Sequence, residues 1–406
     1  MIYYRLIFII VFISSLLNHT AMSAAPSLHG EGWGEASLLD SIEANNTTLI
    51  ALRAEVESRK LENRTGITLA DPEVELKRMW EGAEQSGNLT ELTIGQSFDL
   101  STVMGYKSRA AESQNLLVDE EYRMVRMDIL LEAQLAYIDL VYYNALISEL
   151  DRRLTHARRV AEAEQRRLDN GDTDVLSYNN VVLSLSALEA ERERACTEQT
   201  VLMTQLTRLN GGEPLGNLEA KAKDVIEPLA NIDSLVAQAM EHSPAMTLVR
   251  AGRDVAKSEL SLAKSQHLPT LSATYINERH TIGDRSQGVA IGVSLPLWAN
   301  KNRVRSARAS LHAAEARETD AQVQLRSQLQ AGYERVQGLQ RTAVLYRTAL
   351  DEANNTALLE RAMDEGFISV LEYLQGIELY YDYLDRSLNA DRDYQRALAE
   401  MEAWKL

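Results

Sequence analysis

One cysteine, Cys196, in 406 residues leaves room for no internal disulfide and no Cys-x-x-Cys redox or metal site. Proline numbers only seven and phenylalanine four, while Ala, Leu, Glu and Arg abound. So few breakers over so long a chain favour long helices. Positive charge is also in deficit: 42 Lys and Arg against 59 Asp and Glu give a formal charge of −17. That balance argues against a nucleic-acid partner, which needs a basic patch. It suits a solvated surface or a water-filled interior that attracts cations. Gly-x-Ser-x-Gly, His-Glu-x-x-His and a phosphate loop are missing, and no two of the seven histidines stand at i+3 or i+4. The residues indicate no enzyme, no cofactor and no bound metal.

Long apolar runs are lacking too, with one exception. Arg5 precedes an apolar run of twelve, Leu6 to Leu17, and Ala21-Met22-Ser23 offers small residues before Ala24. The run is too short to span a membrane and reads as a cleaved export signal over 1–23. No cysteine follows it, so lipid attachment is not expected. Residues 24–36, with Gly30, Gly32 and Gly34, read as an extended arm, since no strand precedes those glycines.

What is present is a repeat. Arg166, Leu168, Asp169, Gly171, Val175, Leu176 and Tyr178 return 195 residues later as Arg361, Met363, Asp364, Gly366, Val370, Leu371 and Tyr373. In each copy a charged helical pattern meets a glycine and then resumes, the mark of a helical hairpin tip. At an offset of 197 the pairs Ser37/Ser234, Arg53/Arg250, Lys60/Lys257, Pro72/Pro269, Ile94/Ile291 and Leu100/Leu297 extend the match. The drift from 197 to 195 marks a small net deletion inside a long helix. The first repeat takes 24–210, the second 233–406, with a Gly- and Pro-containing linker over 211–232.

Period-two alternation predicts two strands in each repeat, at about 72–80 and 91–100 and at about 269–277 and 288–297. Val74, Leu76 and Trp80 share one face, interrupted by Arg78, and Val289, Ile291, Val293, Leu295 and Leu297 alternate unbroken. Each stretch is near the ten residues that a tilted strand needs to cross a bilayer. The surrounding patterns are helical: about Leu38–Asn63, Met104–Arg167, Val175–Leu209, Ser234–Gln266, Arg303–Met363 and Ser369–Leu406. Met104–Arg167 is 64 residues, about 95 Å of helix, and the return legs of 35 and 33 residues nearly match it together. The helix from Ser234 is therefore expected to continue the line of the return leg, and the helix from Leu38 to stack on the chain's last turn. Four strands cannot close a barrel, and open edges cannot exist in lipid. Three chains closing a twelve-stranded barrel, with a helical tube below, are the simplest solution.

The tandem helix–strand–strand–helix repeat, Leu268-Pro269-Thr270-Leu271, Ser294-Leu295-Pro296-Leu297 followed by Lys301, Arg303 and Arg305, and the Gly-x-x-x-Val-Leu turns resemble the TolC family of outer-membrane efflux proteins. The resemblance implies a homotrimer with a β-barrel in outer-membrane lipid and an α-helical tunnel in the periplasm. It implies docking to a periplasmic adaptor (membrane fusion) protein and, through it, to an inner-membrane pump of RND type. It implies that Gly171, Val175, Leu176, Gly366, Val370 and Leu371 form the adaptor-contacting tip, the four apolar residues packing beneath the turns. Where the family's gate carries an aromatic and an arginine around the second glycine, this chain has Met363 and Ile368. Asp169, Asp172 and Asp174 at one tip, and Asp364, Glu365 and Glu372 at the other, are candidates for acidic rings at the aperture or for solvated turns. The resemblance leans toward the heavy-metal (cobalt, zinc, cadmium; CzcC-like) branch, with drug efflux and type I protein secretion as alternatives. A non-conducting periplasmic coiled-coil scaffold is the rival of another class, and it leaves the four alternating stretches unexplained.

Overall fold

The computed structural model describes residues 34–80, 88–216, 229–280, 285–298, 300–353 and 355–406. The export signal, most of the glycine arm and the middle of the linker lie outside them. The first repeat runs α1 (Glu35–Asn45), α2 (Thr47–Asn63), β1 (Glu73–Met79), β2 (Leu89–Asp99), α3 (Leu100–Val103), α4 (Tyr106–Asn170) and α5 (Val175–Leu209). The second runs α6 (Ile232–His242), α7 (Pro244–Ser265), β3 (Thr270–His280), β4 (Arg285–Ser294), α8 (Arg303–Glu352), α9 (Thr356–Asp364) and α10 (Val370–Glu402). The starts of α1 and α6, α2 and α7, β1 and β3, and α4 and α8 are each 197 residues apart.

The expected helix from Leu38 to Asn63 is in fact two, and it begins earlier, at Glu35. Asn46 breaks it: its backbone is extended, and its side chain accepts from the Leu49 N–H at 3.0 Å and donates to the Leu209 carbonyl at 2.7 Å. The expected helix Ser234–Gln266 breaks at the equivalent place, where Ser243 is extended and Pro244 opens α7. Proline suits a first helical position because that N–H has no partner within the helix. Arg53 and Arg250 then reach back over the two breaks, donating to the Glu43 and Met240 carbonyls at 3.0 and 2.7 Å.

The outward leg α4 is one helix of 65 residues, about 98 Å long. Its counterpart, expected unbroken from Arg303 to Met363, is interrupted between Glu352 and Thr356. The cause is helical phase. Two missing residues turn everything after them by about 200°, and the break lets α9 return Leu359 and Met363 to the core.

The expected stacking is corrected. Leu38 and Ile42 of α1 close a core with Leu130, Ala133, Tyr137 and Leu140 of α4 and with Leu206 and Leu209 at the end of α5. Leu235 and Ala239 of α6 do the same with Leu329 and Val336 of α8 and with Ala397 and Met401 near the end of α10. Thus each repeat's opening helix seats on its own return leg rather than on the other's. The reason is polar and local. Ser41 donates to Asn210 Oδ1 at 2.8 Å and Asn45 at 3.2 Å, tying the α1 end to the α5 end before the linker departs.

The four strands form one antiparallel sheet in the order β1-β2-β3-β4. Its bounds differ a little from the alternation: β2 starts at Leu89, β3 runs to His280, and β4 stops at Ser294 rather than 297. Pro296 lacks the N–H a continued ladder would need. Register puts Val74, Ile94, Tyr275 and Val289 in one row, with Phe98, Leu271 and Val293 in another on the same face. The other face carries Glu75, Thr93, Ser272, Thr274 and Gly292. The outer edges of β1 and β4 bond to no described strand.

Candidate functional site

The two tips are built alike from backbone hydrogen bonds. Gly171 N–H donates to Leu168 at 3.0 Å and Asp172 N–H to Arg167 at 2.8 Å; Gly366 N–H donates to Met363 at 3.1 Å and Phe367 N–H to Ala362 at 2.8 Å. This paired closure satisfies the last carbonyls of a helix and requires a left-handed residue, which both glycines supply at φ 78°.

The helices that restart carry exchanged caps. At the first tip Asp174 accepts from the Ser177 N–H at 2.9 Å. At the second, 195 residues on, Ser369 caps and Glu372 stands at the position of Ser177, completing a reciprocal box with Ser369 at 2.8 and 3.2 Å. Hydrogen bonds from the Ser177 backbone and then its hydroxyl hold the Asp174 carboxyl below its ordinary range. The Ser369 backbone and then its hydroxyl do the same for Glu372. Two of the six carboxylates expected at the aperture therefore serve as caps. Glu365 pairs with Arg361 at 2.8 Å, and Asp169 accepts from Gln165 at 2.8 Å. All six are exposed, and among the described residues Asp172 and Asp364 alone make no cap, ion pair or side-chain hydrogen bond.

The expectation that all four apolar tip residues pack beneath the turns is corrected. Val370 joins Met363 and Ile368, half-buried against Val160, Val181, Tyr373 and Ile377. Val175, Leu176 and Leu371 stand 58, 75 and 52% exposed, because they occupy the outward side of the first turn of α5 and α10. Phe367 is exposed beside them. Sequence reasoning passed it over, although it is one of only four phenylalanines and replaces the first tip's Asp172.

Above the tips, polar contacts tie one hairpin to the other. Arg153 on α4 is buried and donates twice to Asp385 on α10, at 2.6 and 2.9 Å, and once to Glu149 at 2.9 Å. Its guanidinium lies 4.3 Å from the Tyr381 ring centroid. The Tyr373 hydroxyl is 3.0 Å from His156 Nδ1, and Glu360 bonds Arg159 and lies 3.5 Å from His156 Nε2. Burial, then the nearby Arg159, lowers the His156 pKa. Arg153, His156, Tyr373, Tyr381 and Asp385 line part of a cavity of about 340 Å³ between α4, α5 and α10. No periodicity announces such pairs, since Arg153 and Asp385 are 232 residues apart. Among the described residues no group of His, Cys, Asp and Glu is arranged to hold a metal ion.

The sheet is the second candidate surface. Val74, Leu76, Val289, Ile291 and Val293 are each more than half exposed on its apolar face. Trp80 and Trp298 are exposed at its two ends, as interfacial aromatics are in barrels. No described helix is long and apolar enough to cross a membrane.

Residues 235–404 match the family described as outer membrane efflux protein. The outer membrane protein TolC of Vibrio cholerae is 20% identical over 307 residues, spanning 70% of this chain and 69% of its own. A membrane protein from Pseudomonas aeruginosa shares the fold at a TM-score of 0.75, with 16% identity over 92% of this chain and 90% of that one. The outer membrane protein VceC from Vibrio cholerae does so at 0.72, with 18% identity over 91% and 95%. The family match covers the second repeat and the shared fold covers both, so this chain is similar to the TolC-like outer-membrane efflux proteins.

Proposed function

We propose that three copies of this chain form the passive exit duct of a tripartite efflux assembly. The sheets close into a twelve-stranded barrel in the outer membrane, and the helical hairpins form a tunnel reaching about 100 Å into the periplasm. The single observation that carries this is the open sheet with its exposed apolar face. In water each of Val289, Ile291 and Val293 forgoes about 1.5–3 kcal/mol of burial, whereas lipid on one face and a neighbouring strand at each edge remove the cost. Gly171, Val175, Leu176, Gly366, Val370 and Leu371 are the adaptor contact, with the exposed Val175, Leu176 and Leu371 supplying the apolar surface. A periplasmic adaptor and an inner-membrane pump, of RND type, supply substrate and energy.

Divalent heavy-metal cations are the narrower reading. Asp172 and Asp364, repeated threefold, would give two acidic rings at the periplasmic mouth, which favour cations at a constriction. Two measurements test the levels separately. Conductance of the purified protein in planar bilayers supports the duct, and its absence, with the protein remaining soluble, overturns it. A deletion strain sensitive only to cobalt, zinc and cadmium supports the metal reading; sensitivity to dyes, detergents or antibiotics instead overturns that reading alone.

A further inference from the structure

We propose that Arg78, Arg279 and Arg285 form a binding site for the phosphate groups of outer-leaflet lipid headgroups. The three occupy one cross-strand row: Arg78 registers with Thr90, Thr90 with Arg279, and Arg279 with Arg285. Alternation along each strand sets them on the face that carries Val74, Leu76, Ile94, Tyr275 and Val289. Toward the helices that face is mainly apolar and, among the described residues, carries no other charged residue, its polar members being Gln96, Asn277 and Gln287, and the chain as a whole is acidic by 17 charges. A concentrated basic row at this place needs a cause.

Position supplies part of it. The row lies at the end of the sheet remote from the helices. From the row of Phe98 to that of Thr90 is eight residues, about 27 Å along the strand and about 21 Å of depth at a tilt near 40°. The row thus falls where the hydrocarbon band gives way to headgroups. Trp80, next to Arg78 and 73% exposed, marks the same level, with the Arg78 guanidinium 5.8 Å from its ring centroid.

Electrostatics supplies the rest. Arg279 and Arg285 face each other directly, and like charges opposed across an antiparallel pair destabilise it. Among the described residues the carboxylates at this height, Glu91 and Glu278, register with Lys77 and Ser286 on the other face of the sheet. Among the described residues Arg285 makes one long contact, 3.4 Å to Asn277 Oδ1. An anion between the guanidiniums relieves the repulsion, and phosphate matches their planar fork in two-bond geometry. A lipid-borne phosphate fits better than a free one, because Leu76 and Val289 lie below the row to receive acyl chains.

The inference rests on the duct reading, so the test begins with the full-length mature protein purified as a trimer that conducts in planar bilayers. The probe is lipid A bearing two phosphates, added to the detergent-solubilised trimer and followed by native mass spectrometry. The wild type retains it, and the triple variant Arg78→Gln, Arg279→Gln, Arg285→Gln binds about tenfold or more weakly while still trimeric and conducting. Dephosphorylated lipid A binds poorly to both. Removing three exposed arginines of α8, by Arg317→Gln, Arg326→Gln and Arg335→Gln, leaves binding unchanged. Equal binding to the wild type and the first variant, equal binding of the dephosphorylated lipid, or full displacement by inorganic phosphate overturns the site and leaves the duct standing. Loss of binding in the α8 variant as well overturns it as non-specific attraction. A wild type that neither trimerises nor conducts overturns the duct reading first.

Discussion

Arg153 and Asp385 join the two hairpins of one chain through a two-pronged ion pair, 2.6 and 2.9 Å long, with the guanidinium almost wholly buried. A buried arginine that loses its partner is costly, since its charge is left without compensation. Asp385→Ala is expected to destabilise the helical part by about 2–4 kcal/mol, less than a fully orphaned charge because Glu149 remains at 2.9 Å. The midpoint of helical unfolding by circular dichroism, with the trimer followed on native gels, checks this. A midpoint equal to wild type would show that the pair contributes nothing net.

His156 makes the same junction sensitive to acid. Burial and Arg159 lower its pKa in the folded protein, so the unfolded chain takes up the proton first as pH falls. The sign follows: the stabilising effect is complete above the unfolded value of about 6.5 and is lost as pH falls through the folded value. The protonated ring would face Arg159 and Arg152, partly offset by Asp364 and Glu360. Between pH 7.5 and 5 the wild type should therefore lose more unfolding temperature than His156→Gln. Parallel losses would remove His156 from the account.

Much of this architecture was legible because it is periodic. The hairpin tips announced themselves through Gly171 and Gly366, and the sheet through unbroken alternation at Val289, Ile291 and Val293. Asn46 and Ser243 escaped notice because a polar residue inside a helical pattern looks like surface until its cap partner is known. The return-leg stacking was read with its partners exchanged, since lengths of 35 and 33 residues fit either way and only Asn210 decides. The acidic tip residues were visible as charge. That Asp174 and Glu372 spend their charge on caps depends on geometry no composition reveals.

Glycines at φ above 70° should divide by what surrounds them. A Cβ on Gly211 would lie 2.2 Å from the Asn45 carbonyl oxygen, which is backbone and cannot turn aside. Gly211→Ala should cost about 3 kcal/mol or more and weaken the seat of α1 on α5. Gly171 meets nothing within 4 Å, so Gly171→Ala should cost only the left-handed strain of about 1–2 kcal/mol. Hydrogen exchange checks both: faster exchange through α1 and the end of α5 in the first variant, and faster exchange confined to the tip in the second. Equal and local effects would contradict the close approach at Gly211.

Closure of the sheet between copies carries the whole functional account, and disulfide trapping tests it most directly. With Cys196→Ser as background, one cysteine is placed on the open edge of β1, as Val74→Cys or Leu76→Cys. A second is scanned along β4 at Val289, Ile291 and Val293. The account predicts that at least one pair, oxidised in outer membranes, gives a covalent ladder ending at three chains. Only monomers for every pair, or a series running past three, would contradict a barrel closed by three copies of this sheet.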